Sequence, residues 1–182
     1  MTWLIIAIIL AAAFGPITKM MPSKKERRLS ALRLKARTCG LVVEIRRLAA
    51  VNPEAHQRVS AGGKLRDASF DCAAYGLHFS GDSGGVERWQ ILRDVQQSRN
   101  SPTPGWTWQL RSETKTGFWQ AMQVVLATLP EDCLAVEFDD SIVRCYWLEQ
   151  IENDHDVGKK IEIIRCALHK IVEILLGRGE QS

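Results

Sequence analysis

The stretch CLAVEFDDSIVRCYWLE, residues 133–149, decides the fold of this chain. Its two runs rich in apolar and β-branched residues, CLAVEF and IVRCYWLE, are separated by the short polar segment DDS. Such runs on either side of a turn segment are typical of a β-hairpin. We therefore predict two antiparallel strands here, with Glu137, Asp139 and Asp140 forming a solvated acidic tip. A pair of catalytic acids is the alternative interpretation of these three side chains.

Helical periodicity flanks this hairpin on both sides. The segment TGFWQAMQVVLATLP (116–130) predicts a helix that ends at its proline. The segment VGKKIEIIRCALHKIVEILLG (157–177) predicts a longer amphipathic helix, with Asp154 and Asp156 favouring its start and Gly177 its end. Its apolar stripe consists of Val157, Ile161, Ile164, Leu168, Ile171 and Leu175.

Four further strands are predicted before the first of these helices. They are LVVEIRRL (41–48), FDCAAYGLHFS (70–80), VERWQILRDV (86–95) and GWTWQLR (105–111). Because the strands cluster instead of alternating with helices, we predict an α+β fold. The expected architecture is a mostly antiparallel sheet with helices packed on one face, within a domain covering residues 41–182.

The N-terminal stretch TWLIIAIILAAAFGPIT, residues 2–18, carries no charged side chain. A helix of this length spans about 25 Å, near the short end for a bilayer. A cleaved signal peptide is the alternative, but its positive charges precede the apolar run, whereas here they follow it. We therefore predict a retained transmembrane anchor over residues 1–21 in a bacterial inner membrane. The positive-inside rule places the N-terminus outside and the remainder in the cytoplasm.

The segment PSKKERRLSALRLKARTCG, residues 22–40, predicts a basic juxtamembrane helix. Ser23 and Glu26 fit a capping box at its start, and Gly40 is expected to end it. Between Lys19 and Arg47 the chain has ten cationic and two acidic side chains, although its net charge is only +3, so the remaining part is mildly acidic. A thin apolar stripe accompanies the cations: Leu29, Leu32 and Ala36.

Two interpretations of this basic helix stay open. Its cations can attract anionic lipid headgroups, or it can be a solvated linker whose charges only fix topology. Nucleic acid is disfavoured as a partner, because no aromatic residue interleaves the charges and the helix adjoins a membrane. The candidate lipid-binding residues are Lys24, Lys25, Arg27, Arg28, Arg33, Lys35 and Arg37.

The N-terminal quarter, residues 1–47, resembles a known family. An apolar helix is followed by a proline and a Lys/Arg-rich helix, and then by a glycine and a β-branched run in KARTCGLVVEI. This arrangement is similar to the small accessory subunit of the bacterial Sec preprotein translocase, and to poorly characterised single-pass bacterial proteins grouped with that subunit. The glycine-rich β segment expected next in the translocase subunit is missing. The resemblance implies a single-pass membrane location and a role accessory to a membrane complex.

The pentapeptide GDSGG, residues 81–85, resembles the nucleophile motif of chymotrypsin-like serine proteases. The resemblance implies Ser83 as nucleophile, and His56 with Asp67 or Asp71 precede it in the family's order. However, only 27 residues separate His56 from Ser83, too few to hold a β-barrel between them. Because Gly, Asp and Ser favour tight turns, we predict a hairpin loop here, with a membrane-tethered serine hydrolase as the alternative.

The remaining chemistry-bearing residues indicate no reaction. The five cysteines are widely spaced without a C-x-x-C pair, so we expect buried free thiols in a reducing compartment. His155 can be a solvated cap or a metal ligand, and Trp106 with Trp108 can be core or a stacking surface. We expect no catalytic residue, metal, cofactor or small-molecule substrate. The expected function is a non-catalytic binding or scaffold domain that contacts membrane lipid and a protein partner of unknown identity.

Overall fold

The computed structural model describes Trp3 and residues 23–50, 69–81, 85–94, 101–112, 116–150 and 154–177. These residues form three helices and six strands. The helices are α1 (Lys24–Thr38), α2 (Thr116–Leu126) and α3 (Asp154–Leu175). The strands are β1 (Val42–Ala49), β2 (Ser69–His78), β3 (Trp89–Arg93), β4 (Trp106–Leu110), β5 (Cys133–Asp139) and β6 (Ile142–Trp147).

All six strands belong to one antiparallel sheet with the order β1-β2-β6-β5-β3-β4. The predicted α+β class is therefore confirmed. The hairpin of β5 and β6 is also confirmed, with Asp139 opposite Ile142 and Asp140 in the left-handed region at φ 55°. The prediction that Glu137 belongs to the acidic tip is wrong, because Glu137 lies within β5 opposite Arg144.

The helices of the described chain pack on one face of the sheet, as predicted. Alternate residues of the strands point into a single core that all three helices share. Fully buried aromatic side chains fill its centre: Tyr75, Trp89, Phe138 and Trp147. Burial of such large side chains is the main source of the free energy of folding.

The two C-terminal helices form where they are predicted, and only their first or last residues differ from the prediction. α3 begins at Asp154, and its buried stripe from Ile161 to Leu175 is the predicted one. It ends before Gly177, whose φ is 68°. α2 ends at Leu126, four residues before Pro130, because the intervening residues form a turn in which Leu129 donates to the Leu126 carbonyl.

Helix α1 is bounded as its sequence predicts. At its start the Glu26 backbone N–H donates to Ser23 Oγ at 3.2 Å, and the Ser23 N–H donates to the Glu26 carboxylate at 2.6 Å. At its end Gly40 adopts φ 84°, while Gly40 and Leu41 donate to the carbonyls of Arg37 and Ala36. Glycine is suited to this position because L side chains are disfavoured at such a φ.

The apolar stripe of α1 lies in the core of the domain. Leu32 and Ala36 are fully buried and belong to the same cluster as the sheet residue Val43. The C-terminal half of this helix is therefore one of the layers that cover the sheet.

The predicted anchor, residues 1–21, lies outside the described residues except for Trp3, which is helical and 83% exposed. Among the described residues no helix is long and apolar enough to cross a bilayer.

Candidate functional site

The seven candidate cations divide between the two halves of α1. The first four, Lys24, Lys25, Arg27 and Arg28, are exposed around the N-terminal half of the helix. The acidic residue among them, Glu26, is bound to the helix start, and the hydrogen bond from the Ser23 backbone lowers the pKa of its carboxyl group. This end of the helix is therefore a compact cationic surface, which we call the cationic end.

Arg33, in the second half of α1, faces the domain. Its guanidinium donates two hydrogen bonds to Glu149, from Nε to Oε1 at 2.8 Å and from Nη2 to Oε2 at 2.5 Å. The Glu149 side chain is only 6% exposed. Such a bidentate pair is strong and specific in its geometry. Arg33 is thus committed to a contact within the protein.

Tyr75 completes this contact from the sheet. Its hydroxyl donates to Glu149 Oε1 at 2.6 Å, and its ring is fully buried. Burial, and next the hydrogen bond to the carboxylate, raise the pKa of Tyr75 far above its ordinary value. Glu149 itself has φ 54°, an unusual conformation for a side-chain-bearing residue. We call Arg33, Tyr75 and Glu149 the helix lock.

The last two candidate cations also lie near the domain. Arg37 Nη2 donates to the Val43 carbonyl of β1 at 3.5 Å. The Lys35 ammonium is close to the backbone of α3, since a Cβ built on Gly158 would lie 2.7 Å from Lys35 Nζ. Together with the helix lock, these contacts fix the orientation of α1 relative to the sheet.

A second polar cluster occupies the sheet face opposite the helices. Its residues are Glu44, Arg46, Glu137, Asp139, Arg144 and Tyr146, which we call the charged face. They alternate along β1, β5 and β6 with residues that point into the core.

Arg144 is at the centre of the charged face and its side chain is only 8% exposed. Its Nη1 lies 3.5 Å from Glu137 Oε2 and 3.4 Å from Asp139 Oδ2. Its Nε lies 3.9 Å from Glu44 Oε2. A nearly buried guanidinium needs such partners because its desolvation is costly.

Tyr146 ties the same acids to the sheet. Its hydroxyl donates to Glu137 Oε2 at 2.6 Å. Burial, and then this hydrogen bond, raise the pKa of Tyr146 to about 12. Arg46 pairs with Glu44 at 2.9 Å and with Glu137 at 3.6 Å. The arginines of this face are therefore paired in charge with carboxylates of the same chain, although the buried Nε of Arg144 has no hydrogen-bond partner within the described residues.

The predicted acidic tip makes its own ion pair. Arg88 donates to Asp140 and lies 3.0 Å from Asp139 Oδ1. The acids of the predicted tip are therefore paired with cations of the same chain.

Most of the candidate serine-hydrolase residues, Ser83, His56 and Asp67, lie outside the described residues. Asp71 is described: it is exposed on β2 and lies 3.5 Å from Arg47 Nε. It therefore has a structural partner of its own.

Trp106 and Trp108 belong to the core and its edge and do not form an open stacking surface. Trp106 is buried and carries the Arg93 guanidinium 4.8 Å from its ring centre. Trp108 is half-buried and packs edge-to-face against Trp119 at 4.7 Å. These rings join the aromatic cluster around Trp89, so they stabilise the fold.

Within the described ranges, no three metal-ligating side chains come together. The His155 side chain is not among the described ones, and His169 is exposed on α3. The prediction that the cysteines are buried is confirmed for Cys72, Cys133 and Cys145. It is wrong for Cys166, which is exposed, and for Cys39, which is half-buried at the end of α1.

The helix lock and Arg144 were not predicted from the sequence. The lock joins residues far apart in the chain, so no local pattern indicates it. Arg144 does have a local signal, since a single arginine stands in the otherwise apolar strand IVRCYW. A charge in such a buried strand needs an oppositely charged partner, although the sequence does not say which residue that is.

No family model, curated protein or solved structure matches this chain. The similarity of residues 1–47 to the small Sec accessory subunit therefore stays a prediction.

Proposed function

We propose that this protein is a membrane-tethered, non-catalytic binding or scaffold domain. In this proposal residues 1–21 anchor it in a bacterial inner membrane, with the N-terminus outside and the α+β domain in the cytoplasm. The cationic end of α1 lies against anionic lipid headgroups and sets how the domain faces the bilayer.

The observation that carries the proposal is the division of α1 into two halves. Four exposed cations occupy the half next to the apolar segment, whereas Leu32, Ala36 and Arg33 fasten the other half to the sheet. A flexible linker with the same charges would hold the domain near the membrane without orienting it. A helix locked to the sheet transmits the position of its cationic end to the whole domain.

The magnitude of the attraction is sufficient for this role. Each cationic side chain near an anionic bilayer contributes about 1 kcal/mol, and the attraction is screened by salt within about 10 Å at 0.1 M. The anchor already supplies attachment, so the cationic end is expected to affect orientation more than residence on the membrane.

The test uses the full-length chain in lipid nanodiscs, because a peptide of residues 22–40 would expose Leu32 and Ala36, which the domain buries. Lysine acetylation is followed by mass spectrometry in neutral and in anionic discs. We expect Lys24 and Lys25 to be acetylated several-fold more slowly in anionic discs at low salt, and the difference to disappear at high salt. Lys35 on the same helix and Lys170 on α3 are internal controls that should react alike in both.

Matched variants separate the cationic end from other exposed charges. Arg27→Gln together with Arg28→Gln should reduce the protection of Lys24 and Lys25, whereas Arg111→Gln, which removes an exposed cation outside α1, should leave it unchanged. Equal acetylation in neutral and anionic discs would contradict the lipid contact and leave the charges as a topology signal. A separate experiment addresses the proposed protein partner: crosslinking of the full chain in membranes, followed by mass spectrometry, would identify it.

A further inference from the structure

Two cysteines of the hairpin meet inside the core. Cys133 begins β5 and Cys145 lies in the middle of β6, and both side chains are fully buried. Their sulfur atoms are 2.6 Å apart. A bulge between Cys133 and Ala135 shifts the register, so that Cys133 pairs with Trp147 and Cys145 with Val136. The two thiols thus lie diagonally across neighbouring strands, on the face that the helices cover.

The other three cysteines have no such arrangement. Cys72 is buried on the opposite face of the sheet, in the small cluster around Tyr146. Cys39 directly follows the last residue of α1, and Cys166 is exposed on α3. The geometry therefore selects one pair out of five thiols.

We propose that Cys133 and Cys145 are a modification site, at which an intramolecular disulfide forms when the chain folds in the presence of an external disulfide. The oxidant is a small-molecule disulfide such as oxidised glutathione, or the active-site disulfide of a thiol oxidoreductase. The site is independent of the proposed membrane function, because it depends only on the contact between β5 and β6.

The chemistry balances as two successive exchanges. The thiolate of one cysteine attacks a sulfur of the external disulfide, forming a mixed disulfide and releasing one thiol. The second cysteine, as thiolate, attacks the protein sulfur of that mixed disulfide and releases the second thiol. Two electrons and two protons pass from the cysteine pair to the external disulfide.

Burial determines when this reaction happens. It raises the pKa of the Cys145 thiol well above its usual value, and the contact with Cys133 adds to this effect. The packed core therefore holds Cys145 as a protonated thiol, which is a poor nucleophile, and burial closes both sulfur atoms to an external disulfide. The bond forms while the hairpin is open, during folding, and the reduced native protein is slow to oxidise.

The test begins with full-length chain that is unfolded with reductant and refolded in a glutathione redox buffer. Free thiols are alkylated and the products are analysed by intact mass and peptide mapping. We expect one disulfide, between Cys133 and Cys145, with Cys39, Cys72 and Cys166 alkylated. Five alkylated cysteines, or a mixture of pairings, would overturn the proposal, and this outcome does not depend on any variant folding.

Variants and kinetics add two independent readouts. Cys133→Ala and Cys145→Ala should each abolish the bond, whereas the matched buried control Cys72→Ala should retain it. The oxidised protein should melt on the order of 5–10 °C higher than the reduced one, because the bond constrains the unfolded chain. Native reduced protein should oxidise more than tenfold more slowly than refolding protein; equal rates would show that the pair is not enclosed.

Discussion

The carboxylate of Glu149 is bound through both oxygens to the guanidinium of Arg33, 116 residues earlier in the chain. This ion pair joins the end of β6 to the helix that follows the apolar N-terminal segment. Tyr75 donates to the same carboxylate, so three separate parts of the chain meet at one side chain. The pair makes α1 a part of the domain.

Arg33→Ala should lower the free energy of unfolding by about 2–4 kcal/mol, because it leaves the buried Glu149 carboxylate without its cation. Arg33→Lys should cost less, since a lysine keeps the charge but cannot form the bidentate pair. The measurement is urea unfolding of the full chain in mild detergent, followed by tryptophan fluorescence.

Arg27→Ala is the matched control for this prediction. It removes an exposed cation from the same helix and should change the free energy of unfolding by less than about 0.5 kcal/mol. Similar losses for Arg27→Ala and Arg33→Ala would mean that the ion pair with Glu149 does not fasten α1.

In the folded protein the two tyrosines of the chain should not ionise near pH 10, where an exposed tyrosine does. The pKa of Tyr146 is raised from 10.0 to about 12, and that of Tyr75 is raised further. Between pH 10 and 12 the unfolded chain has lost tyrosine protons that the folded chain retains. Unfolding in this range therefore releases protons. The contribution of the two tyrosines to the free energy of unfolding should be fully present below pH 10 and should fall as the pH rises towards 12.

Tyrosinate absorbance measures this directly. The denatured chain should show both groups titrating near pH 10, whereas the folded chain should show almost no tyrosinate there. Tyr146→Phe should make the loss of stability between pH 10 and 12 smaller. A tyrosine step near pH 10 that is present in the folded wild type and absent in Tyr146→Phe would contradict the burial of Tyr146 and its hydrogen bond to Glu137.

The proposed topology predicts the behaviour of reporters fused after Ser182. A reporter that is active only in the cytoplasm should work, because the cations follow the apolar segment instead of preceding it. Activity of a reporter restricted to the periplasm would reverse the proposed orientation.

Ser83→Ala should leave folding and any cellular phenotype unchanged if the GDSGG stretch is only a turn. A serine-directed fluorophosphonate probe should then fail to label the wild-type chain. Labelling that disappears in Ser83→Ala would establish the hydrolase alternative, and heat-denatured wild type provides the background.

The strands were predictable because alternation is a local property. Tyr75, Leu77 and Phe79 alternate along the sequence and point into one core, as do Trp89 and Ile91. Capping was also local, which is why Ser23 and Gly40 marked the ends of α1 correctly.

The contacts that make the candidate site are not local. The sequence pattern of Leu32 and Ala36 does not distinguish a helix face that contacts lipid, water or a sheet. Only the tertiary fold shows that these two side chains are buried. The same holds for Arg33, which sequence alone groups with the lipid-binding cations, and for Glu137, whose partner Tyr146 is on the other strand of the hairpin. Charge and periodicity predict that a residue needs a partner, but they do not identify that partner.

The distance along the chain between Arg33 and Glu149 also orders events during synthesis. A ribosome adds Glu149 116 residues after Arg33, so the ion pair that fastens α1 cannot form while the first half of the chain is being made. In the proposed topology, Arg33 has therefore not yet paired with Glu149 when the apolar segment reaches the membrane, and its charge can act with the other cations of α1 in directing insertion. Once Glu149 has been made, the same arginine can hold α1 to the finished domain. Under this proposal one arginine would serve an early step in the nascent chain and a later one in the folded protein.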